Sequence, residues 1–149
     1  MAEVRNVAKY FLSKSIENTQ YAITPLKLQK LLYYAQGIHL RDNNGTPLFD
    51  GNLLRWDHGP VNRIIYDDYK TYGYFTIPQS SDNGKNDLTK SEIKAIEQAW
   101  ELYGELDGKF LEELTHQEDP WLTTLPNQII SKEKIYKYFM ENQQVASVW

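Results

Sequence analysis

The residues of this chain best able to hold a metal ion or act as a general base are three histidines, His39, His58 and His116, with Asp57 and Asp119 beside two of them. Their spacing supports neither role. No His-x-x-x-His or His-Glu-x-x-His pair sets two ligands on one helical turn, and His116 with Asp119, three residues apart, is the nearest approach. The sequence contains no cysteine, which removes thiolate nucleophiles, disulfides and Cys-based metal sites. No Gly-x-Ser-x-Gly elbow, Walker loop or Gly-x-Gly-x-x-Gly turn occurs. The carboxylate pairs Asp67-Asp68 and Glu112-Glu113 fall on predicted helices, where adjacent side chains diverge. The expectation is therefore no catalytic residue, no metal and no cofactor.

Two polar clusters remain. Lys27 and Lys30 lie in the first turns of a predicted helix, with Tyr34 one turn on, largely off the apolar face made by Leu28, Leu31, Leu32, Ala35 and Ile38. A helix start attracts anions, so a phosphate or an acidic partner loop could dock there; exposed lysines on a capped helix need no such role. The turn Trp56-Asp57-His58-Gly59-Pro60 is the second cluster. Gly59 allows backbone conformations closed to other residues, and Pro60 fixes the path of the chain into the next element. Trp56 and His58 are then held in set orientations, either as a recognition surface or as a structural turn with the indole in the core.

The elements that would carry these residues are mostly helical. Val4, Val7, Ala8, Phe11 and Leu12 predict an amphipathic helix over 3–15. Thr24 caps, and Pro25 opens, a helix running to about Leu40, and Asn43-Asn44-Gly45 ends it. Leu53–Trp56 and Tyr74–Ile77 read as short strands able to pair. Gly59-Pro60 opens a helix with Val61, Ile64, Ile65 and Tyr69 inward, stopping near Gly73. Thr89-Lys90-Ser91-Glu92 is a capping box, Asp107 caps a helix ending before Pro120, and Ser131 caps the last, with Ile135, Phe139 and Met140 as its stripe. The fold class expected is mainly α: a single domain over 1–149, about six helices and at most a small two-stranded hairpin, with a short apolar tail at Val145–Trp149.

Composition sets outer limits. The chain has 149 residues, 41% hydrophobic and 24% charged, in the ordinary globular range. Its net charge of -4 divides into +2 over residues 1–75 and -6 over 76–149. That balance argues against nucleic acid as a partner, which calls for a concentrated basic face. No signal-peptide core or membrane-length apolar run is present, so the expectation is a soluble cytoplasmic protein without a membrane partner.

The chain resembles the Panacea-domain family of phage- and mobile-element-associated proteins. The resemblance rests on Thr24-Pro25-Leu26-Lys27-Leu28-Gln29-Lys30-Leu31-Leu32-Tyr33-Tyr34-Ala35-Gln36-Gly37, on Pro47-Leu48-Phe49, and on Trp56-Asp57-His58-Gly59-Pro60-Val61 with Tyr66. It resumes at Leu114-Thr115-His116 with Pro120-Trp121, and so covers roughly residues 4–125. It implies a non-enzymatic antitoxin that binds a cognate toxin protein directly. A second implied role is an adaptor delivering the toxin to an AAA+ protease; a hydrolase built on His58, Asp57 and His116 is the alternative from another class. Lys27, Lys30, Tyr34, Trp56, His58, Tyr66, His116 and Trp121 are the candidate partner-surface or motif residues, with oligomeric state left open.

Overall fold

Thr24 and Pro25 start the longest helix where the sequence predicts it. In the computed structural model, which describes residues 1–142, this helix (α2, Pro25–Asp42) is capped by the Thr24 hydroxyl accepting the Lys27 amide. It is the axis of the molecule. Every residue from Lys27 to Leu40 is buried, and α1 (Val4–Ser13), α4 (Lys90–Tyr103), α5 (Gly108–Thr115) and α7 (Lys132–Glu141) pack around it. The core joins Val7, Phe11, Leu28, Leu31, Leu32, Ile38, Ile96, Leu111 and Ile135. The predicted caps all form: Thr89 and Glu92 make the reciprocal box on α4, Asp107 caps α5 and Ser131 caps α7. Ile135 and Phe139 of the last helix point inward, but Met140 is exposed. The apolar tail Val145–Trp149 lies outside the described residues.

Two further expectations are corrected. Gly59-Pro60 does not open a helix. Gly59–Val61 is a strand (β2) that folds back on β1 (Leu53–Trp56), with Trp56 opposite Gly59 and a two-residue turn at Asp57-His58. Proline lacks a ladder donor, and β2 is an edge, where that costs nothing. The helix after it (α3, Arg63–Tyr69) starts at Asn62, whose side chain accepts the Ile65 amide, and its Ile64 is exposed rather than inward.

Second, Tyr74–Ile77 is no strand. Its one long-range backbone bond in the described structure is from the Ile77 amide to the Ile23 carbonyl, 2.8 Å. The partner on the other side of β1 is β3 (Ile129–Ile130), so the small sheet is antiparallel and three-stranded, in the order β2-β1-β3. The helix capped by Asp107 ends at Thr115, before Pro120 as expected, and a further short helix (α6, Asp119–Leu122), with Pro120 in its first turn, follows it. Seven α-helices result among the described residues, in a mainly α fold as expected.

Candidate functional site

The polar residues of α2 from Lys27 to His39 do not face solvent. They reach the backbone of the connecting segments. The Lys27 ammonium donates to the Gln20 carbonyl (2.8 Å) and to that of Gly104 (2.6 Å) at the C-terminal end of α4, where the helix dipole favours a cation. It lies 5.7 Å from the Trp100 ring centroid. Burial lowers its pKa to about 8, partly opposed by Asp107. Gln29 exchanges two hydrogen bonds with the Asn62 backbone, 2.8 and 3.0 Å, and so fixes the start of α3. Gln36 donates to the Phe49 carbonyl and accepts from the Leu48 amide, 2.9 and 2.6 Å. The His39 Nδ1–H donates to the Thr46 carbonyl at 2.7 Å. Buried backbone groups must find partners, and here one helix supplies them to four loops.

Lys30 is the innermost of the set. Its side chain is fully buried and its amine donates to the Pro60 carbonyl at 2.8 Å. Burial brings its pKa down to about 7, opposed in part by the charge of Glu112. Gly59 sits against it with φ +104°, and a Cβ there would stand 2.8 Å from Lys30 Cε and from Thr115 Oγ1. Both reasons require glycine at this position. The lysine pair therefore cannot form the open anion-docking face considered from sequence; Lys27 and Lys30 hold the frame from inside, and Tyr34 is buried with them.

The turn they support is exposed on its other side. His58, with 75% of its side chain exposed, donates from Nδ1 to Glu112 Oε1 at 2.9 Å, and Lys109 holds the second oxygen at 3.1 Å. Burial pulls the Glu112 carboxyl upward, but its bonds from Lys109 and His58 outweigh that and keep it below the usual carboxylate range. His116 donates from Nε2 to the Asp57 carbonyl at 2.8 Å and packs on Trp121, ring centroids 4.2 Å apart. The Trp121 indole N–H donates to the Trp56 carbonyl at 2.8 Å. Arg55 lies 3.8 Å over the Trp121 ring, and Trp56 meets Tyr66 edge-on at 4.8 Å with Arg63 above it at 5.8 Å. Trp56, His58, Tyr66, His116 and Trp121 thus meet in one partly exposed surface of aromatic rings and guanidinium groups.

This arrangement pairs an imidazole with an orienting carboxylate in His58–Glu112, but among the described residues no hydrogen bond joins a nucleophile to the His58 ring. The nearby Thr115 hydroxyl is buried and donates to the Glu112 backbone carbonyl at 2.8 Å. Asp57 takes part through its carbonyl, not its carboxylate. Among the described residues no group of three or more His, Asp or Glu side chains is placed to hold a metal ion.

Of the two carboxylates at the centre of the site, sequence reasoning set Glu112 aside as one of a diverging pair and missed Glu118. Glu118, half-buried between α5 and α6, accepts from the Tyr33 and Tyr34 hydroxyls at 2.8 and 2.9 Å. Burial pushes its pKa up to about 7 against the pull of those two bonds. The same bonds tie the His116–Trp121 segment to α2. The usable signal was position: Glu118 lies between the Thr115-His116 and Pro120-Trp121 motifs.

The profile of the antitoxin SocA-like Panacea domain matches residues 28–122, more than half of the chain. The chain belongs to this family. The match takes in the Panacea-domain helix from Leu28, the β1–β2 turn and α5 through α6, which are the elements that build the site. Antitoxin SocA of Caulobacter vibrioides (strain NA1000 / CB15N) is 41% identical over 64 residues, 43% of this chain and 33% of that protein. The chain spans about a third of the length of this curated relative. No solved structure matches the Panacea domain of this chain. Membership supports an antitoxin role, and with it a toxin as partner in general. No described helix is long and apolar enough to cross a membrane.

Proposed function

We propose that this protein is the non-enzymatic antitoxin of a toxin–antitoxin pair and neutralises its toxin by direct contact. The observation that carries the reading is the division of labour among the motif residues. Lys27, Lys30 and Tyr34 are buried and bonded within the fold, while Arg55, Trp56, His58, Arg63, Tyr66 and Trp121 share a surface built on the turn they brace. Tryptophan, tyrosine and arginine are the residue types that anchor protein interfaces. Nothing in the surface requires a small substrate, and the His58–Glu112 pair is as well suited to set the shape of the turn as to move a proton.

The test is co-expression with the product of the adjacent gene. That product is expected to arrest growth alone, to be silenced by this protein, and to co-purify with it. Arg63→Glu, at an exposed side chain, is expected to weaken that complex while the protein still unfolds cooperatively close to the wild-type temperature. An adjacent product that is harmless alone, or toxic regardless of this protein, overturns the reading. Loss of the toxin from cells with an AAA+ protease intact, in place of a stable complex, would favour an adaptor role over neutralisation by binding.

A further inference from the structure

An asparagine followed by glycine can change its own covalent structure. The glycine amide nitrogen is able to attack the asparagine side chain, because no Cβ on the glycine stands in the way. This chain has two such pairs, Asn44-Gly45 and Asn83-Gly84. The fold treats them differently. The Gly45 amide donates to the Leu40 carbonyl at 2.8 Å, at the end of α2. A main-chain carbonyl accepts a hydrogen bond but takes no proton from an amide, so that bond only pins the nitrogen.

At the second pair the Gly84 amide donates to a carboxylate, Asp82 Oδ1, at 2.9 Å. That bond, with the Lys9 amine 3.6 Å from the other oxygen, holds the Asp82 carboxyl below its ordinary range, so it is ionised at neutral pH. On the opposite side the Lys85 amide donates to Asn83 Oδ1 at 2.9 Å. A donor at that oxygen stabilises the negative charge that attack on Cγ places there. Asn83 itself is exposed to water. The segment is braced against α1. Gln79 donates to the Ser13 carbonyl at 2.8 Å and the Ser80 amide to that of Leu12 at 3.3 Å. Gly84 sits so close to α1 that a Cβ would stand 3.1 Å from the Asn6 carbonyl oxygen.

We propose that Asn83-Gly84 is a site of self-modification by deamidation, with Asp82 as the base for the Gly84 amide and the Lys85 amide as the donor to the Asn83 carbonyl oxygen. The Gly84 nitrogen bonds to Asn83 Cγ as its proton passes to Asp82. The bond from Cγ to the side-chain nitrogen breaks, and that nitrogen leaves as ammonia with the proton Asp82 returns. One water then opens the cyclic imide to aspartate or to isoaspartate. Either product sets a new carboxylate beside Asp82. Isoaspartate also lengthens the main chain directly ahead of Gly84 and shifts it from its seat on α1. The inference needs no toxin and is independent of the antitoxin reading.

The experiment incubates the purified protein at neutral pH and physiological temperature and follows both pairs by peptide mapping and mass spectrometry. Asn83 is expected to convert ~10-fold faster than Asn44, a modest share of what a positioned base can supply. Asp82→Asn leaves an oxygen to accept the Gly84 amide but removes the base, and should slow conversion at Asn83 ~10-fold with Asn44 unchanged. The freshly made variant should unfold close to the wild-type temperature, since the Asp82 side chain is 72% exposed and its pairing with Lys9 is a surface one. Absence of conversion at Asn83, equal rates at the two pairs, or an unchanged rate in Asp82→Asn overturns the inference.

Discussion

Lys30→Met probes the centre of the scaffold. The substitution keeps the apolar stem and deletes the amine. At any pH the Pro60 carbonyl then loses its donor in a buried site, a cost of about 1–3 kcal/mol. The pH dependence is more diagnostic. Burial holds the folded pKa at about 7, below the ordinary 10.5 of an unfolded lysine. Between those values the unfolded chain binds a proton that the folded chain does not, so stability rises with pH across the window and is flat below it. The slope is about 1.4 kcal/mol per pH unit, or roughly 3 kcal/mol from pH 7 to pH 9. The neighbouring buried amine of Lys27 is present in both proteins and cancels in the comparison. Urea unfolding of wild type and variant, run side by side from about pH 6 to about pH 9, reads the difference directly. The gap in favour of wild type should be constant below pH 7 and widen above it. A gap that stays constant throughout means that the amine remains an ammonium in the fold, and refutes the reasoning.

Other perturbations act on the same geometry. Glu118 has a folded pKa of about 7, above the ordinary 4.5, so its contribution is complete below pH 4.5 and is lost as pH rises to 7, roughly 3 kcal/mol at most. Glu118→Gln should flatten the wild-type decline in urea stability between about pH 5 and pH 7. Gln36→Leu leaves the Leu48 amide and Phe49 carbonyl without their partner and should cost about 2–4 kcal/mol in denaturant unfolding at fixed pH. Gly37→Ala puts a Cβ 2.3 Å from the Phe139 ring and should destabilise by about 1–3 kcal/mol, with part of the loss recovered when Phe139→Leu is added.

The sequence was most informative where local chemistry decides. Thr24-Pro25, Thr89 with Glu92, Asp107 and Ser131 each satisfy amides within their own first turn, and each starts its helix where predicted. It was least informative where a residue's partner is a distant backbone group. Lys27 bonds to Gly104, 77 residues on, and Gln29 to Asn62. A carbonyl has no residue type, so nothing in the pattern distinguishes a lysine that serves one from a lysine in water. That is why α2 reads as half exposed when its central turns are buried all round. The strand at Gly59–Val61 was hidden for a related reason. Glycine then proline is also how a helix can begin, and only the facing β1 decides between the two. Trp56, His58, His116 and Trp121 were each singled out, but their meeting depends on the β1–β2 turn docking against α5 and α6.

Apart from the Tyr33 and Tyr34 bonds to the Glu118 carboxylate, the side-chain bonds from α2 to the segments around it end on main-chain atoms of Gln20, Thr46, Leu48, Phe49, Pro60, Asn62 and Gly104. Main-chain atoms are the same whatever side chain they bear. A substitution in one of those loops that keeps the local path of the chain therefore leaves its tether to the central helix untouched. The molecule separates what must stay fixed from what is free to change: a rewritten loop could address a different partner without renegotiating the core. The Asp57-His58 turn, just ahead of the Pro60 carbonyl that Lys30 holds, is where such rewriting leaves the tether to α2 in place.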